Sequence, residues 1–411
     1  MAGIMKQISQ LSQPEEILAL LKQTFHEQFG DGEAESFFSP GRVNLIGEHI
    51  DYNGGHVFPC ALTIGTYGVA RKNNLPVFRF GSLNFEHLGI IEIPAADLEH
   101  DPDHHWTNYP KGVIDILRKE GHEIQGFDMM IYGNIPNASG LSSSASVEVL
   151  TGVICRELFG LPVDNQQLAL VGQRAENEFI GVNCGIMDQF AVAMGKRQHA
   201  ILLDTSTLDY RYAPLKLDNV RIVIASSNKR RGLSGSKYNE RRMECEEALR
   251  DLQNVVPIKY LCELVPEQFE TYKDAINDPV ALRRARHAVT EEDRTGRAFH
   301  ALENGDLIAF GELMRESHES LRDDYEVTGV ELDTLVEAAW NEPGCIGARM
   351  TGAGFGGCTV NLVHEQAIAR FIEQVGRTYK EKIGYAADFY IVSAGPGAGT
   401  FAECFGREAD A

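Results

Sequence analysis

Positive charge is scarce in this chain: 38 lysines and arginines stand against 59 acidic residues, a formal net charge of −21. A nucleic-acid binder would carry the opposite balance, so no nucleic-acid partner is expected. An anionic ligand would have to be met by locally concentrated cations and N–H donors. No apolar run approaches the length of a bilayer span, and no membrane partner is expected. Residues 1–12 lack the apolar stretch of a secretory leader. The eight cysteines are scattered, with no C-x-x-C pair and no zinc-ligand spacing. That argues for thiols in a reducing compartment, and the expected location is cytoplasmic. Two nucleotide motifs are also missing. No G-x-x-x-x-G-K-[ST] occurs. Gly352, Gly354 and Gly357 do spell G-x-G-x-x-G, but Cys358-Thr-Val-Asn-Leu-Val363 continues as a strand where a dinucleotide fold needs a helix.

What is present centres on residues 136–146, Pro-Asn-Ala-Ser-Gly-Leu-Ser-Ser-Ser-Ala-Ser. Phe127–Tyr132 before it reads as a strand. After it, Val147, Leu150, Ile154 and Leu158 recur at helical spacing until Gly160. A small-residue loop therefore feeds a helix N-terminus, where partnerless N–H groups and the macrodipole favour a phosphate. Ser142, Ser143 and Ser144 add hydroxyls for phosphate oxygens or Mg²⁺. The plain alternative is a Ser-rich helix cap.

Along the chain, Ser12 caps and Pro14 opens a first helix with Ile17, Leu20, Leu21, Phe25 and Phe29 on its buried stripe, ended by Gly30. Residues 36–57 are half strand, half polar loop, and 57–94 are β-rich. Helices are expected from Trp106 to about Lys119, over about 165–180, and at 241–253, 305–318 and 364–383. Strands are expected at 199–204, 220–226 and 387–393. The change from mixed α/β to helix-rich near 205–220 suggests two units, 1–210 and 211–411, in an α+β fold.

Several polar residues are candidates for chemistry. Arg42, Glu48, His49 and Asp51 fall within ten residues, in a loop ending Asn53-Gly54-Gly55. Such a set suits a sugar, because carboxylates and imidazole hydrogen-bond several hydroxyls, although a surface loop could hold the same groups. Asp188 lies near a helix start, where the dipole, and Arg42 if the two meet, favour its carboxylate; a simple cap is the alternative. Glu176 is a solvated helix residue unless it faces Ser144, in which case it could ligate Mg²⁺. Lys229-Arg230-Arg231, with Lys237, Arg241 and Arg242, reads as a solvated loop and helix face, with Tyr238 able to reach a ligand. The glycines at 352–357 are either a purely structural turn or pack against the phosphate loop.

Three separated stretches together resemble one family. Gly41-Arg-Val-Asn-Leu-Ile-Gly-Glu-His-Ile-Asp-Tyr-Asn-Gly-Gly resembles the galactokinase motif, while Pro136–Ser146 and Gly347–Cys358 resemble the second and third motifs of the GHMP small-molecule kinases. Cys184–Phe190 and Ser317–Tyr325 extend the likeness across nearly the whole chain. The resemblance implies a fold of two α+β domains with the active site in the cleft between them. It also implies ATP-dependent phosphorylation of the anomeric hydroxyl of α-D-galactose, giving galactose 1-phosphate and ADP. By position, Arg42 and Asp188 would be catalytic, and Glu48, His49, Asp51, Gly185, Asp188 and Tyr238 would line the sugar. Gly140, Ser142, Ser143 and Ser144 would hold ATP phosphates, Trp106 and Tyr109 would border the adenine, and Ser144 and Glu176 would meet Mg²⁺. Ile50 replaces the family's usual Thr, and Ala138 its usual Gly; neither change removes a chemical group. A kinase for N-acetylgalactosamine or arabinose, and a non-catalytic galactose and ATP sensor, are the alternatives.

Overall fold

The structure is a computed structural model and describes residues 13–136, 140–229 and 234–406. Its strands are β1 (Glu35–Asn44), β2 (His56–Val57), β3 (Pro59–Lys72), β4 (Val77–Ser82), β5 (Ile91–Pro94), β6 (Phe127–Gly133), β7 (His199–Asp204), β8 (Tyr210–Pro214), β9 (Val220–Ser226), β10 (Cys345–Thr351), β11 (Cys358–His364), β12 (Asp388–Val392) and β13 (Gly399–Thr400). They form sheets in the orders β13-β1-β3-β6-β4-β5, β10-β11-β9-β12 and β2-β7-β8. Every pairing is antiparallel except β4 with β6.

Successive residues of a strand face opposite sides of its sheet. Phe37 thus enters a core with Val113, Ile116, Val149, Leu150 and Val153 from helices Asn108–Lys119 and Ser143–Phe159. Phe38 enters another, with Ile17, Leu21 and Phe25 of helix Pro14–Phe29. The expected cap of that helix, Ser12, lies outside the described residues; Gln13 stands at the cap position without a capping side-chain bond, and Gly30 closes the helix at φ 84°.

Helices Gly329–Trp340 and Ile368–Ile383 cover one face of the four-stranded sheet through Leu335, Val336, Phe371 and Val375. Its other face, with Ile222, Ile224, Val360 and Leu362, shares a core with Val43, Leu45 and Phe58 from the first half of the chain. Each such buried side chain is worth about 1.5–3 kcal/mol, so this core fastens the two sheets together. The end of the chain returns to the first sheet, where Gly399 pairs with Phe38.

Two local irregularities set the positions of Arg42 and Glu176. The β1–β3 register shifts between Pro40 and Arg42, where Pro40 has no N–H to give, and the shift turns the strand so that the Arg42 N–H reaches the Leu141 carbonyl at 3.2 Å. The single helix expected over 165–180 is instead an α-helix, Asn165–Arg174, followed by a π-helical turn, Ala175–Ile180. Wider turns of this kind recur at functional sites, and this one carries Glu176.

Candidate active site

The register shift in β1 and the loop entering helix Ser143–Phe159 bring Arg42 against residues far away in sequence. Arg42 donates from Nε (2.8 Å) and Nη2 (2.7 Å) to Asp188 Oδ1, and from Nη1 to the Gly140 carbonyl at 2.7 Å. The Ser142 hydroxyl donates to Asp188 Oδ2 at 2.6 Å. These bonds bear on the capping alternatives for Ser142 and Asp188. Ser142 sits at φ 60° and makes no side-chain cap. Asp188 lies inside the first turn of helix Met187–Met194 and spends both oxygens on Arg42 and Ser142.

A cavity of about 430 Å³ opens on this junction. It gathers Arg42, Glu48, His49, Asp51, Tyr109, Gly140, Ser142, Ser143, Ser144, Glu176, Gly185, Asp188 and Tyr238. Of the expected site residues only Trp106 is not among its lining; its ring packs 6.4 Å from that of Phe80. Val182, Cys184, Met187, Gly352 and Ala353 also line the cavity; of these, sequence reasoning offered a site role only for Gly352, as one of two readings of its turn. For Gly352 the structure selects the second of those two readings, packing against the loop at Gly140. Its φ of 84° and its distance from Gly140, whose carbonyl would lie 2.9 Å from an added Cβ, make the third glycine-rich turn pack on the phosphate loop.

At the other end, Glu48 accepts from the Asn44 amide (2.7 Å) and the Gly352 N–H (2.5 Å). Burial raises its pKa, opposed by Arg349, Arg42 and these two bonds. Burial, with repulsion from Asp188 and Glu48, pushes Asp51 up to about 7. The backbone N–H groups of Tyr52 and of Asp51 itself pull the other way, and hydroxyl donors from a ligand would relieve it further. Gly185 is required by space: a Cβ there would fall 1.8 Å from Asp51 Oδ2. Burial keeps the Tyr238 hydroxyl protonated and able to donate.

His49 lines the cavity, and both of its ring nitrogens have partners within the protein. Nδ1 lies 2.8 Å from the Tyr52 hydroxyl and Nε2 3.2 Å from the Ala353 carbonyl, and burial lowers its pKa to about 3. A carbonyl only accepts, so Nε2 carries the hydrogen and Nδ1 accepts from Tyr52. Both nitrogens are committed to the wall, and the imidazole shapes the cavity with its ring. Ile50 is fully buried in the core behind it; Ala138 lies outside the described residues.

Near the phosphate loop, the Ser144 hydroxyl points at Glu176 Oε1 at 3.5 Å. Burial and repulsion from Asp188 push Glu176 up to about 7. The Gln189 amide bridges Glu176 (2.8 Å) and the buried Glu148 (2.9 Å). Crowded carboxylates beside a serine hydroxyl are the hard-oxygen donors Mg²⁺ prefers. Among the described residues, no group of three or more His, Cys, Asp or Glu is placed to hold a metal, so further ligands would have to come from elsewhere.

The basic cluster is less solvated than expected. Lys229 pairs with Glu331 at 3.0 Å, Arg241 donates to the Tyr325 carbonyl at 2.7 Å, and Arg242 donates to the Asn183 carbonyl at 3.0 Å, while Lys237 remains exposed. Arg230 and Arg231 lie outside the described residues. All eight cysteines remain thiols, and no described helix is long and apolar enough to cross a membrane.

Comparison with known proteins places this geometry. Residues 23–72 match the galactokinase galactose-binding signature, 108–196 the GHMP kinases N-terminal domain, and 298–381 the GHMP kinases C-terminal domain. The chain is 58% identical to the galactokinase of Clostridium acetobutylicum over 93% of its own length and 99% of that protein's. It is 56% identical to the galactokinase of Enterococcus faecalis over 92% and 98%. The structure of Lactococcus lactis galactokinase complexed with galactose superposes with a TM-score of 0.91 at 50% identity, covering 93% and 99% of the two chains. A mevalonate kinase at 17% identity and TM-score 0.61 shares the fold.

Proposed function

The chain belongs to the galactokinases, GHMP-fold enzymes, and from that premise we infer that it transfers the γ-phosphoryl group of ATP to the anomeric hydroxyl of α-D-galactose, giving galactose 1-phosphate and ADP. The observation that carries the reading is the junction of Arg42, Asp188 and Ser142, where a sugar-type pocket and a phosphate-type loop meet.

Phosphoryl transfer needs alignment and charge neutralisation more than covalent help. In this reading, Glu48, Asp51 and Tyr238 bind sugar hydroxyls beside Gly185, within the wall that His49 shapes. Asp188, fixed on both oxygens, accepts the anomeric proton. Arg42 neutralises charge on the group in flight while its Nη1 ties the Gly140 carbonyl of the phosphate loop. Gly140, Ser142, Ser143, Ser144 and the helix N-terminus behind them cradle the phosphates, with Tyr109 and Trp106 toward the adenine. Ser144 and Glu176 would hold Mg²⁺, which supplies charge neutralisation on the phosphates when bound. ATP as co-substrate and the thiol state of the cysteines support a cytoplasmic location.

The test is ADP release from ATP and Mg²⁺ with galactose, N-acetylgalactosamine, arabinose, glucose or no sugar. Release driven chiefly by galactose is expected. Release driven by another sugar would reassign the pocket, and no release with any sugar while ATP still binds would favour a sensor.

A further inference from the structure

The loop that presents Glu48 and His49 is held from within on one side only, where the Asn53 amide donates to the His49 carbonyl at 2.9 Å. Gly47 has φ 95° and His49, a residue with a Cβ, has φ 63°. A non-glycine residue in that region is strained by roughly 1–2 kcal/mol and persists only where its surroundings fix it. The groups that fix the backbone at Gly47 and Glu48 come from helix Pro279–Glu303, more than 230 residues away in sequence. Glu291 Oε1 accepts the N–H of Gly47 at 3.0 Å and of Glu48 at 3.3 Å. One turn earlier, His287 Nε2 lies 3.0 Å from the Glu48 carbonyl. One turn later stands Thr295, whose hydroxyl would lie 3.1 Å from a Cβ built on Gly47. Residues 287, 291 and 295 recur at i, i+4 and i+8, so a single helix face is laid along the loop.

Both gripping groups are themselves held. Burial keeps His287 down to about 4, so it is neutral near pH 7. The carbonyl of Glu48 can only accept, so Nε2 carries the hydrogen, and Nδ1 accepts from the Ser320 hydroxyl at 2.9 Å. Burial would raise Glu291, but Arg294 at 2.8 Å, with Arg349 and the Ser317 hydroxyl at 2.6 Å, outweighs it and holds the carboxyl down to about 2. A fixed carboxylate faces two N–H donors and a fixed N–H faces one carbonyl. Neither His287 nor Glu291 lines the cavity.

We propose that His287 and Glu291 are positioning residues for the sugar site, a clamp one helical turn long that holds the Gly47–His49 backbone so that Glu48 and His49 face the cavity. The proposal rests on the reading of that cavity as the galactose site. The clamp touches the sugar loop directly and reaches the phosphate loop only through Glu48 and Gly352, so its effect falls first on the sugar. Loosening it raises the KM for galactose and leaves that for ATP in place, since small misplacement of a binding group weakens only what that group binds.

The experiment uses the full chain and compares His287→Asn, His287→Gln and Glu291→Gln by steady-state kinetics, galactose titration calorimetry and thermal melting. Asn keeps a polar group near Ser320 but withdraws the donor from the Glu48 carbonyl; Gln extends an amide N–H toward it. The expected result is a galactose KM and Kd raised on the order of tenfold in His287→Asn and Glu291→Gln, an ATP KM within about twofold, and a return most of the way to the parent value in His287→Gln. Unchanged galactose affinity in a folded His287→Asn, a parallel rise in both KM values, or no difference between the Asn and Gln variants would overturn the clamp. Should Glu291→Gln fail to fold, the His287 pair still decides. The unaltered protein is the control for the underlying reading: if galactose does not drive its turnover, that reading fails, whereas a clamp failure leaves it standing.

Discussion

Arg42 meets Asp188 with two of its nitrogens on one oxygen, Nε at 2.8 Å and Nη2 at 2.7 Å on Oδ1, and leaves Oδ2 to Ser142 and to the cavity. The third nitrogen holds the Gly140 carbonyl, so one planar side chain joins Asp188 to the loop that enters helix Ser143–Phe159. Lysine has the charge but not the fork. Arg42→Lys should retain melting behaviour and substrate binding within a few-fold while kcat falls by about a hundredfold or more. Asp188→Ala should abolish turnover with the fold intact. Stopped assays with circular dichroism on the same samples check both, and wild-type-like turnover in either variant would remove that residue from the chemistry.

The pH dependence of sugar binding should report Asp51. In the empty site its carboxyl is pushed up to about 7 by burial, then by Asp188 and Glu48. On the proposed reading, galactose hydroxyls would donate to the ionised form, so binding would lower this pKa and expel a proton below neutrality. Galactose affinity without nucleotide should therefore be flat above about pH 7 and fall with decreasing pH, approaching about tenfold per unit. Calorimetry in buffers of different ionisation enthalpy would count the released proton. Asp51→Asn should bind more weakly and lose the slope; a slope that survives the substitution would assign it to another group.

Glu176 carries a separate prediction on the phosphate side. Its carboxyl is pushed up to about 7 by burial and by Asp188, and Ser144 faces it. Glu176→Gln keeps the bulk and removes the charge that a divalent ion would neutralise. The Mg²⁺ concentration for half-maximal activity should rise on the order of tenfold, with galactose affinity unaltered. A Mg²⁺ titration at saturating galactose tests this, and an unshifted midpoint would take Glu176 out of the metal site.

The sequence shows the elements and most of the site because both rest on local signals. Helix ends at Gly30 and Gly160, strands at 127–133 and 220–226, and the serine run before an amphipathic helix all follow from short-range rules. What it hides is long-range. Nothing about Glu291 or His287 in a charged helix says that the side chains turn inward onto a loop some 240 residues away. His49 looked like a sugar ligand by residue type, and only Tyr52 and Ala353 reveal that its nitrogens are used. Arg241 and Arg242 read as solvated because charge on a helix usually is; their carbonyl partners at Tyr325 and Asn183 come from other elements. The return of the chain to β1 through Gly399 is likewise invisible in a two-residue strand.

Gly185 offers the sharpest steric test of the sugar pocket. Its alanine variant would place a methyl carbon 1.8 Å from Asp51 Oδ2 and 2.3 Å from its Cγ, distances no real contact tolerates. Two responses are open: the 181–186 loop retreats, or Asp51 swings away. Either one displaces a group that faces the sugar while leaving the serine run untouched. The backbone at this glycine is not in the left-handed region, so alanine adds no torsional strain of its own, and any loss of stability has to come from this clash. Gly185→Ala should raise the galactose KM by about tenfold or more, keep the ATP KM within about twofold, and lower the melting temperature by only a few degrees. A normal galactose KM would mean that Asp51 can leave its position at no cost to sugar binding, and would remove both residues from the sugar site together.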